Sequence, residues 1–375
     1  MQIKTLFSDQ IALPEILNTN HIKSLDGIRA ISIIIVLIGH LNVGLKNPAL
    51  TAVFGYGSLG VQFFFVLSGF LITTLLLKEK ISTNNVDLKS FYIRRALRIL
   101  PVATLFILVA FLLNFIYNLG MTKGSLIYAL TYTQNFNPNE SYYTSHFWSL
   151  SIEEQFYLLF PFLLNKSIRL YLIIALLVIA SCPTIIYLKF HTNSHNIIFN
   201  KGVDLLYNLI PRGLISILIG SVFTILLFKM KSTTLNLQGT ILGGIQILLL
   251  FSVWLIFNYN IAPGGLGILL VPVLVSVFIF TVIQKNNSFL YKLLNTKALV
   301  NIGILSYSIY IWQQLFTNHH PWDGQHPILE NPILNWIAMF IVAYLSYNFF
   351  EKPFLKLKKR FENRVQSEAI ILSKN

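Results

Sequence analysis

The chain has 375 residues, of which 55% are hydrophobic and only 11% are charged. A typical soluble domain carries about 25% charged residues, so this composition argues against a soluble protein and indicates a chain largely surrounded by lipid. The net charge of +14 would suggest nucleic-acid binding in a soluble protein. Here it indicates basic loops on the cytoplasmic side of a membrane, and no nucleic-acid partner is expected.

The pattern of apolar runs predicts an all-α integral membrane protein, a bundle of about ten transmembrane helices. Roughly 20 apolar residues cross a bilayer, and the mean hydropathy of +0.66 agrees with several such runs. The stretch 124–135 is too short and polar to cross, so we expect it to lie at the surface or to re-enter. The predicted spans are 26–45, 57–77, 99–118, 147–164, 170–188, 209–228, 238–258, 265–284, 300–317 and 333–350.

The distribution of basic residues predicts that both ends of the chain are cytoplasmic. With the first residue inside, 23 of the 28 Lys and Arg residues fall on the inner side, which is the bias expected in membrane proteins. This orientation predicts a cytoplasmic segment 1–24, a transmembrane domain 25–353 and a basic cytoplasmic tail 354–375.

The first predicted span contains three ionisable residues, Asp26, Arg29 and His40. Arg29 and His40 are eleven residues apart, so on a helix they face the same way, about 16 Å apart along the axis. Ionisable groups in a span are costly and usually line a polar cavity, which favours a functional role for the pair. The alternative is a snorkelling arginine and a structurally hydrogen-bonded histidine.

The second span contains Ser68 followed by Gly69, a pair that allows helices to approach closely. Ser68 is a conceivable nucleophile or cavity residue. No G-x-S-x-G sequence surrounds it, so packing is the expected role.

Three arginines, Arg94, Arg95 and Arg98, stand at the cytoplasmic entrance to the third span. Arg95 and Arg98 are three residues apart and are therefore neighbours on a helix. Their planar, forked cations suit a phosphate or pyrophosphate. The alternative is a topological anchor that binds lipid headgroups.

The fourth span begins near Trp148 and carries Glu153 and Glu154. Two carboxylates in an otherwise apolar helix are expensive, and they point 100° apart, so we expect one to face a cavity while the other caps or pairs. A glutamate here could hydrogen-bond His40 or orient an incoming hydroxyl. The alternative is a capping effect, since acidic residues favour the start of a helix.

The ninth span contains a polar and aromatic stripe with Tyr310 and Trp312, for which we expect packing and some lining of a cavity. A following outer loop contains His319, His320 and His326 with Asp323. Their spacing fits no standard metal site, so no metal is predicted.

Together these segments resemble the membrane acyltransferase-3 family, whose members acylate, and mostly O-acetylate, sugars and glycans. Each motif alone is weak, but six of them in family order, over residues 25–353, are specific. They are L-D-G-x-R-A with a histidine eleven residues after the arginine, S-G-F, R-R-x-x-R-I-x-P, W-S-L-S-x-E-E-Q-F-Y, S-Y-S-x-Y-x-W and E-K-P.

The resemblance implies a fold of about ten transmembrane helices in a bacterial plasma membrane. It implies cytoplasmic acyl-CoA, usually acetyl-CoA, as donor and a lipid-linked or assembled glycan as acceptor. It also implies that Arg29 and His40 are essential, that Arg95 and Arg98 lie near the CoA phosphates, and that Glu153 is the glutamate of the fourth-span motif.

The sequence departs from the family pattern in two respects. Many members have a histidine directly after Trp312, where this chain has Gln313, so no proton transfer is expected there. Some members carry a fused extracytoplasmic hydrolase-like domain that completes the transfer. Since the sequence shows none, we expect the chain to act alone or with a separate extracytoplasmic partner.

These observations give a mechanistic hypothesis in which His40 is the base that removes the proton of the acceptor hydroxyl. We expect Glu153 or Asp26 to orient it. Arg29 would neutralise the thioester end or a phosphate of CoA, while the three arginines before the third span would hold the donor, with Arg94 assisting.

Two other classes of function remain as alternatives: a transporter that forms no bond, and a non-catalytic assembly component. The motifs are concentrated in the first four spans, whereas a transporter usually distributes its polar groups over both halves. The sequence therefore favours the enzyme.

Overall fold

A computed structural model describes residues 8–19, 21–40, 57–192, 196–230, 233–235, 237–259, 265–317, 320–325 and 328–361. Within these ranges the chain is all-α, without a β-strand, as the apolar runs predicted. Helices satisfy their backbone hydrogen bonds internally, which an apolar segment in lipid requires. The helices are α1 (Lys23–His40), α2 (Gly57–Thr83), α3 (Leu88–Tyr117), α4 (Lys123–Leu130), α5 (Tyr142–Ser145), α6 (Phe147–Lys166), α7 (Ile168–His191), α8 (Ile197–Leu209), α9 (Ile215–Lys229), α10 (Gly239–Tyr259), α11 (Gly267–Ile283), α12 (Phe289–Leu294), α13 (Lys297–Trp312) and α14 (Pro332–Leu345).

Each of the ten predicted spans lies mainly on helical segments where the structure describes it, although ends such as 265–266, 284 and 316–317 fall outside the helices. Six helical segments of the described chain are long and apolar enough to cross a membrane: α2, α3, α7, α8 joined to α9, α10, and α14 with its continuation. Helices α1 and α6 carry acidic and basic residues, while α11 and α13 have only 17 and 16 residues. The chain is therefore a multi-pass membrane protein, and ten crossings with both ends inside stay predictions.

Two of these long helices contain a wider, π-helical turn. Between α8 and α9 the turn Ile210–Leu214 contains Pro211, which has no backbone N–H to donate. After α14 the turn Ser346–Glu351 places the buried Glu351 beside Ser308 of α13, and the two side chains form a hydrogen bond. Both turns keep the helix continuous while changing which side chains share a face.

The polar stretch 124–135 contains the short helix α4 and does not form a span. Eight residues rise only about 12 Å, less than half of the hydrocarbon thickness. The Thr122 side chain caps the helix by accepting a hydrogen bond from the Ser125 N–H at 3.1 Å. The prediction that this stretch is too short to cross is confirmed.

The chain divides into two compact units, and α1, α6 and α13 contribute residues to both. Arg29 and Ser68 belong to the first unit. His40 belongs to the second unit, as do the arginines at the start of α3 and the two glutamates of α6. The first unit is Met1–Ser32, Ser58–Asn85 and Phe156–Gly303, and the second is Ile33–Gly57, Val86–Gln155 and Ile304–Asn375.

In the first unit α2 and α9 pack with their backbones in direct contact. A Cβ atom on Gly69 would lie 1.9 Å from the carbonyl oxygen of Ile217, and one on Gly220 would lie 2.3 Å from that of Val66. Only glycine permits this approach at either position. The structure thus supports packing as the role of the Ser68–Gly69 pair, with Ser68 half-buried beside the contact.

Replacing Gly69 by Ala is expected to lower stability by about 1–3 kcal/mol or more, because the new methyl group must push two helix backbones apart. Thermal unfolding of the detergent-purified protein measures the effect. Gly202→Ala is the matched control, since no atom lies within 4 Å of its Cβ position and the change should be neutral or slightly stabilising. Equal melting temperatures for the two variants would contradict this account.

Candidate active site

Helix α1 holds Arg29 and His40 on one unbroken helix, as the sequence predicted. Its first turns are fixed by two glycines within the first unit. A Cβ on Gly27 would lie 2.1 Å from the carbonyl oxygen of Leu294, and one on Gly303 would lie 1.9 Å from that of Asp26. The glycine of the L-D-G-x-R-A segment is therefore needed for the close approach of α1 to its neighbours.

Asp26 fixes the polar groups at the start of α1. One carboxylate oxygen lies 2.6 Å from His21 Nε2, and the other lies 3.7 Å from an Arg29 nitrogen. Asp26 is fourteen residues from His40 on the same helix, about 21 Å along its axis. The expectation that Asp26 orients His40 is therefore wrong, because this distance excludes a hydrogen bond; Asp26 orients Arg29 instead.

His40 ends the described part of α1, and its ring is held by its own helix. Nδ1 lies 2.8 Å from the carbonyl oxygen of Val36. Because a carbonyl only accepts, Nδ1 carries the proton, and in the neutral ring the lone pair is on Nε2. The contact with Val36 therefore fixes the tautomer that a base requires, with its lone pair on Nε2. Within the described residues no hydrogen bond to Nε2 is found.

A second histidine, His146, lies near His40 and was not among the residues singled out from the sequence. It joins α5 to α6, its side chain is buried, and the two imidazoles interact electrostatically. Its ring makes edge-on contacts with Phe106 at 5.0 Å and Phe147 at 4.8 Å between centroids. A histidine at the margin of an apolar run is a sequence signal that could have identified it.

The backbone at His146 is fixed by the ninth predicted span. The Tyr310 hydroxyl donates to the His146 carbonyl oxygen at 3.0 Å, and Ser149 donates to the same oxygen at 3.2 Å. The two hydroxyl oxygens are themselves 2.5 Å apart. Tyr310 thus has a bracing function in addition to packing, while Trp148, two residues after His146, is half-buried on α6.

The two glutamates of α6 face different surroundings, as their 100° separation predicted. Glu153 interacts electrostatically with Tyr310, two turns along α6 from His146. Glu154 interacts instead with Arg95 and with Tyr132. The two carboxylates also interact with each other, so they share one charged region of the second unit and differ in their further partners.

The arginines at the start of α3 separate into two sets. Arg95 packs over the Phe91 ring at 5.8 Å and interacts with Glu154, while Arg98 interacts with Tyr307. Arg94 points elsewhere, with its guanidinium 3.5 Å from the carbonyl oxygen of Phe361. Arg95 and Arg98 therefore remain the two neighbouring candidates for binding a phosphate. The contact of Arg94 with a backbone carbonyl favours a structural role for it.

Asp87 caps α3 and so positions these arginines. Its side chain accepts a hydrogen bond from the Ser90 N–H at 3.0 Å. Burial acts to raise the pKa of Asp87, but the hydrogen bonds from Ser90 and the charge of Arg94 outweigh it and hold that pKa below its usual value. The cap is therefore ionised at neutral pH.

The part of the chain that the structure describes contains no cluster of three or more metal-binding side chains. His319 and His326, two of the three histidines in the outer loop, lie outside the described residues. His320 stacks on Trp322 with ring centroids 6.0 Å apart.

The described chain is thus a multi-pass helical membrane protein whose second unit contains two interacting histidines, His40 and His146, and a cluster of arginines and glutamates. It belongs to the acyltransferase-3 family, whose sequence profile, described as an acyltransferase domain, matches residues 22–347. The family resemblance deduced from the motifs is confirmed.

Similar proteins come from Staphylococcus aureus. The chain is 31% identical over 367 residues to the candidate O-acetyltransferase SACOL0978 of strain COL, covering 90% of this chain and 58% of that protein. It is 30% identical over 367 residues to O-acetyltransferase OatA of strain NCTC 8325, covering 92% and 59% respectively. The chain therefore spans less than two thirds of the length of these relatives. No solved structure matches it.

Replacing Asp87 by Ala is expected to cost about 1 kcal/mol at pH 7, because the first turn of α3 loses its cap. Since the pKa of Asp87 is depressed, its contribution is fully present above an unfolded pKa of about 3.9 and is lost as the pH falls through the lower folded value. Thermal unfolding at neutral and acidic pH tests this. Asp87→Asn retains a capping oxygen and should lie close to the native protein at pH 7; a loss equal to that of the Ala variant would argue against capping.

Proposed function

We propose that this protein is a membrane O-acyltransferase that moves an acetyl group from cytoplasmic acetyl-CoA to a hydroxyl of a cell-surface or lipid-linked glycan. Family membership supports acyl transfer, and relatives named O-acetyltransferases support the acetyl group and the oxygen acceptor. The proposed location is a bacterial plasma membrane, with both chain ends cytoplasmic. The glycan, or a separate extracytoplasmic partner that passes the acyl group on, is then on the outer side.

The observation that carries this proposal is the hydrogen bond between His40 Nδ1 and the Val36 carbonyl oxygen. A hydroxyl is a poor nucleophile until its proton is being removed, and a neutral imidazole with an available lone pair is the usual base. The bond to Val36 fixes both the ring orientation and the tautomer, so His40 presents Nε2 to the hydroxyl.

In the proposed reaction the hydroxyl oxygen attacks the thioester carbonyl carbon while its proton passes to His40 Nε2. The tetrahedral intermediate collapses by breaking the carbon–sulfur bond. The imidazolium then returns the proton to the leaving thiolate. The products are an O-acyl ester and CoA, and His40 ends in the neutral form in which it began, so acyl-CoA is the only cosubstrate needed.

The donor binds at the arginine end of the second unit, with the CoA phosphates on Arg95 and Arg98. From Arg98 to Phe106, which contacts His146, α3 rises about 12 Å. The extended pantetheine arm of CoA bridges such a distance. For Arg29, which Asp26 holds in the first unit, neutralisation of the thioester end or of a CoA phosphate stays a prediction from the family motif.

Glu153 is proposed as a positioning residue for the histidine end. It interacts with Tyr310, whose hydroxyl holds the backbone at His146. Its carboxylate therefore acts on the imidazole pair through this tyrosine.

Replacing His40 by Ala is expected to lower acetyl-CoA-dependent turnover by about 100- to 10,000-fold, because the base is lost. Release of the CoA thiol by purified protein, together with mass spectrometry of cell-surface glycans, measures it. His191→Ala, at an exposed histidine, is the matched control. A folded His40→Ala protein that acetylates at the native rate would refute the assignment, and a native protein that leaves the thioester intact would indicate a transporter.

Replacing Arg95 and Arg98 by Gln is expected to raise the KM for acetyl-CoA at least about tenfold and to weaken its salt dependence, with a smaller change in kcat. The reason is the loss of two charge-assisted contacts to phosphate. Arg169→Gln, at an exposed arginine, serves as the control. If the double variant changes stability or topology while KM stays the same, the arginines are anchors to lipid headgroups.

A further inference from the structure

Several buried side chains at the histidine end of the second unit carry polar atoms without a partner in the described chain, the Thr144 hydroxyl among them. Those considered for ligand binding are the Trp312 indole N–H, both amide atoms of Gln313, and the ring nitrogens of His146, which have only a loose backbone contact with Ile311. The exposed fractions of Trp312, Gln313 and His146 are 5%, 0% and 4%. Few buried polar groups of folded proteins lack a partner, so a group of them requires an explanation.

Two of these side chains contact the same aromatic ring. Phe106 contacts His146 at 5.0 Å and Trp312 at 5.6 Å between ring centroids. Gln313 follows Trp312 directly and begins the 3₁₀ turn Gln313–Leu315 at the end of α13. All three side chains therefore belong to one part of the second unit, which also contains His40.

Neighbouring side chains of the same segment do find partners. Gln314, equally buried, donates from Nε2 to the carbonyl oxygen of Tyr142 at 2.7 Å, although its Oε1 lacks a partner among the described residues. The Tyr310 hydroxyl donates to the His146 carbonyl oxygen. The segment can thus satisfy its amide donors with protein groups, and at position 313 it does not.

The chemistry of the donors indicates what they bind. An indole N–H only donates, and a carboxamide Nε2 donates two protons, so two neutral donors are presented without a cation. Neutral donors in a buried site suit an uncharged carbonyl oxygen that gains negative charge during reaction. Gln313 cannot transfer a proton, which is consistent with a role limited to hydrogen bonding.

We propose that Trp312 and Gln313 form the binding site for the thioester carbonyl oxygen and stabilise the oxyanion that forms when the hydroxyl attacks. This inference rests on the proposed acyl transfer and adds the group that opposes His40 in that reaction. His146, which contacts Phe106 and interacts with His40, is a positioning residue in this proposal.

The test compares Gln313→Met with Gln314→Met, two changes of equal chemistry at adjacent buried positions. Gln313→Met removes atoms without protein partners, so its melting temperature should equal or exceed the native value, while kcat falls about 100-fold. Gln314→Met breaks a hydrogen bond to Tyr142, so its melting temperature should fall. Gln313→Met that turns over at the native rate, or that loses stability as Gln314→Met does, would overturn the proposal.

Binding separates this inference from the proposed function. Acetyl-CoA and S-ethyl-CoA, a thioether that lacks the carbonyl, are titrated into the purified native protein and the Gln313→Met variant. The native protein should bind acetyl-CoA about tenfold more tightly, and the variant should bind both equally. Such a preference in a native protein without turnover would refute acyl transfer but retain the carbonyl site. Equal affinities in the native protein, or no binding of either, would refute the site.

Discussion

The cost of burying a polar group among apolar side chains is the constraint on which this structure depends. At several positions the fold meets this cost by giving the group a partner. In the first unit the hydroxyl groups of Thr73 and Tyr171 both hydrogen-bond to Ser221, next to the glycine contact between α2 and α9. The second unit treats Trp312 and Gln313 differently, since their buried polar atoms have no partner in the described chain. Their lack of a partner is the basis of the carbonyl site proposed for the second unit.

The polar groups at the two ends of helix α1 have different kinds of partner. At the start, Asp26 compensates Arg29 and also contacts His21, so the cation is held in an orientation set by a carboxylate. At the end, His40 uses a backbone carbonyl of its own helix and retains one nitrogen for a proton. A carboxylate beside His40 would favour the imidazolium, whereas a neutral carbonyl leaves the ring as a base. The choice of partner thus agrees with the chemistry proposed for each residue.

The rigid placement of these groups depends on glycines that bring backbones into contact and on side chains held by packing and hydrogen bonds. Gly27 and Gly303 bring the start of α1 against neighbouring backbones, where any Cβ would collide with a carbonyl oxygen. In the second unit Tyr310 and Ser149 fix one carbonyl oxygen, that of His146, and the Phe106 ring contacts both its imidazole and the Trp312 indole. A carbonyl site and a base act together only if such supports hold both to a fraction of an ångström.

The sequence alone determined the all-α fold, the approximate limits of the helices and the family, because hydropathy, helical spacing and motif order are properties of the chain itself; it predicted essential roles for Arg29 and His40. It also predicted that Glu153 and Glu154 face different surroundings. Only the tertiary structure decided that Asp26 contacts Arg29 and that Arg94 reaches the carbonyl oxygen of Phe361. It also decided that His146 interacts with His40, more than a hundred positions away in the chain. The physical reason is that hydrogen bonding and burial depend on which groups packing brings together. No spacing rule reveals that Gln314 has a carbonyl to bind while Gln313 beside it has none.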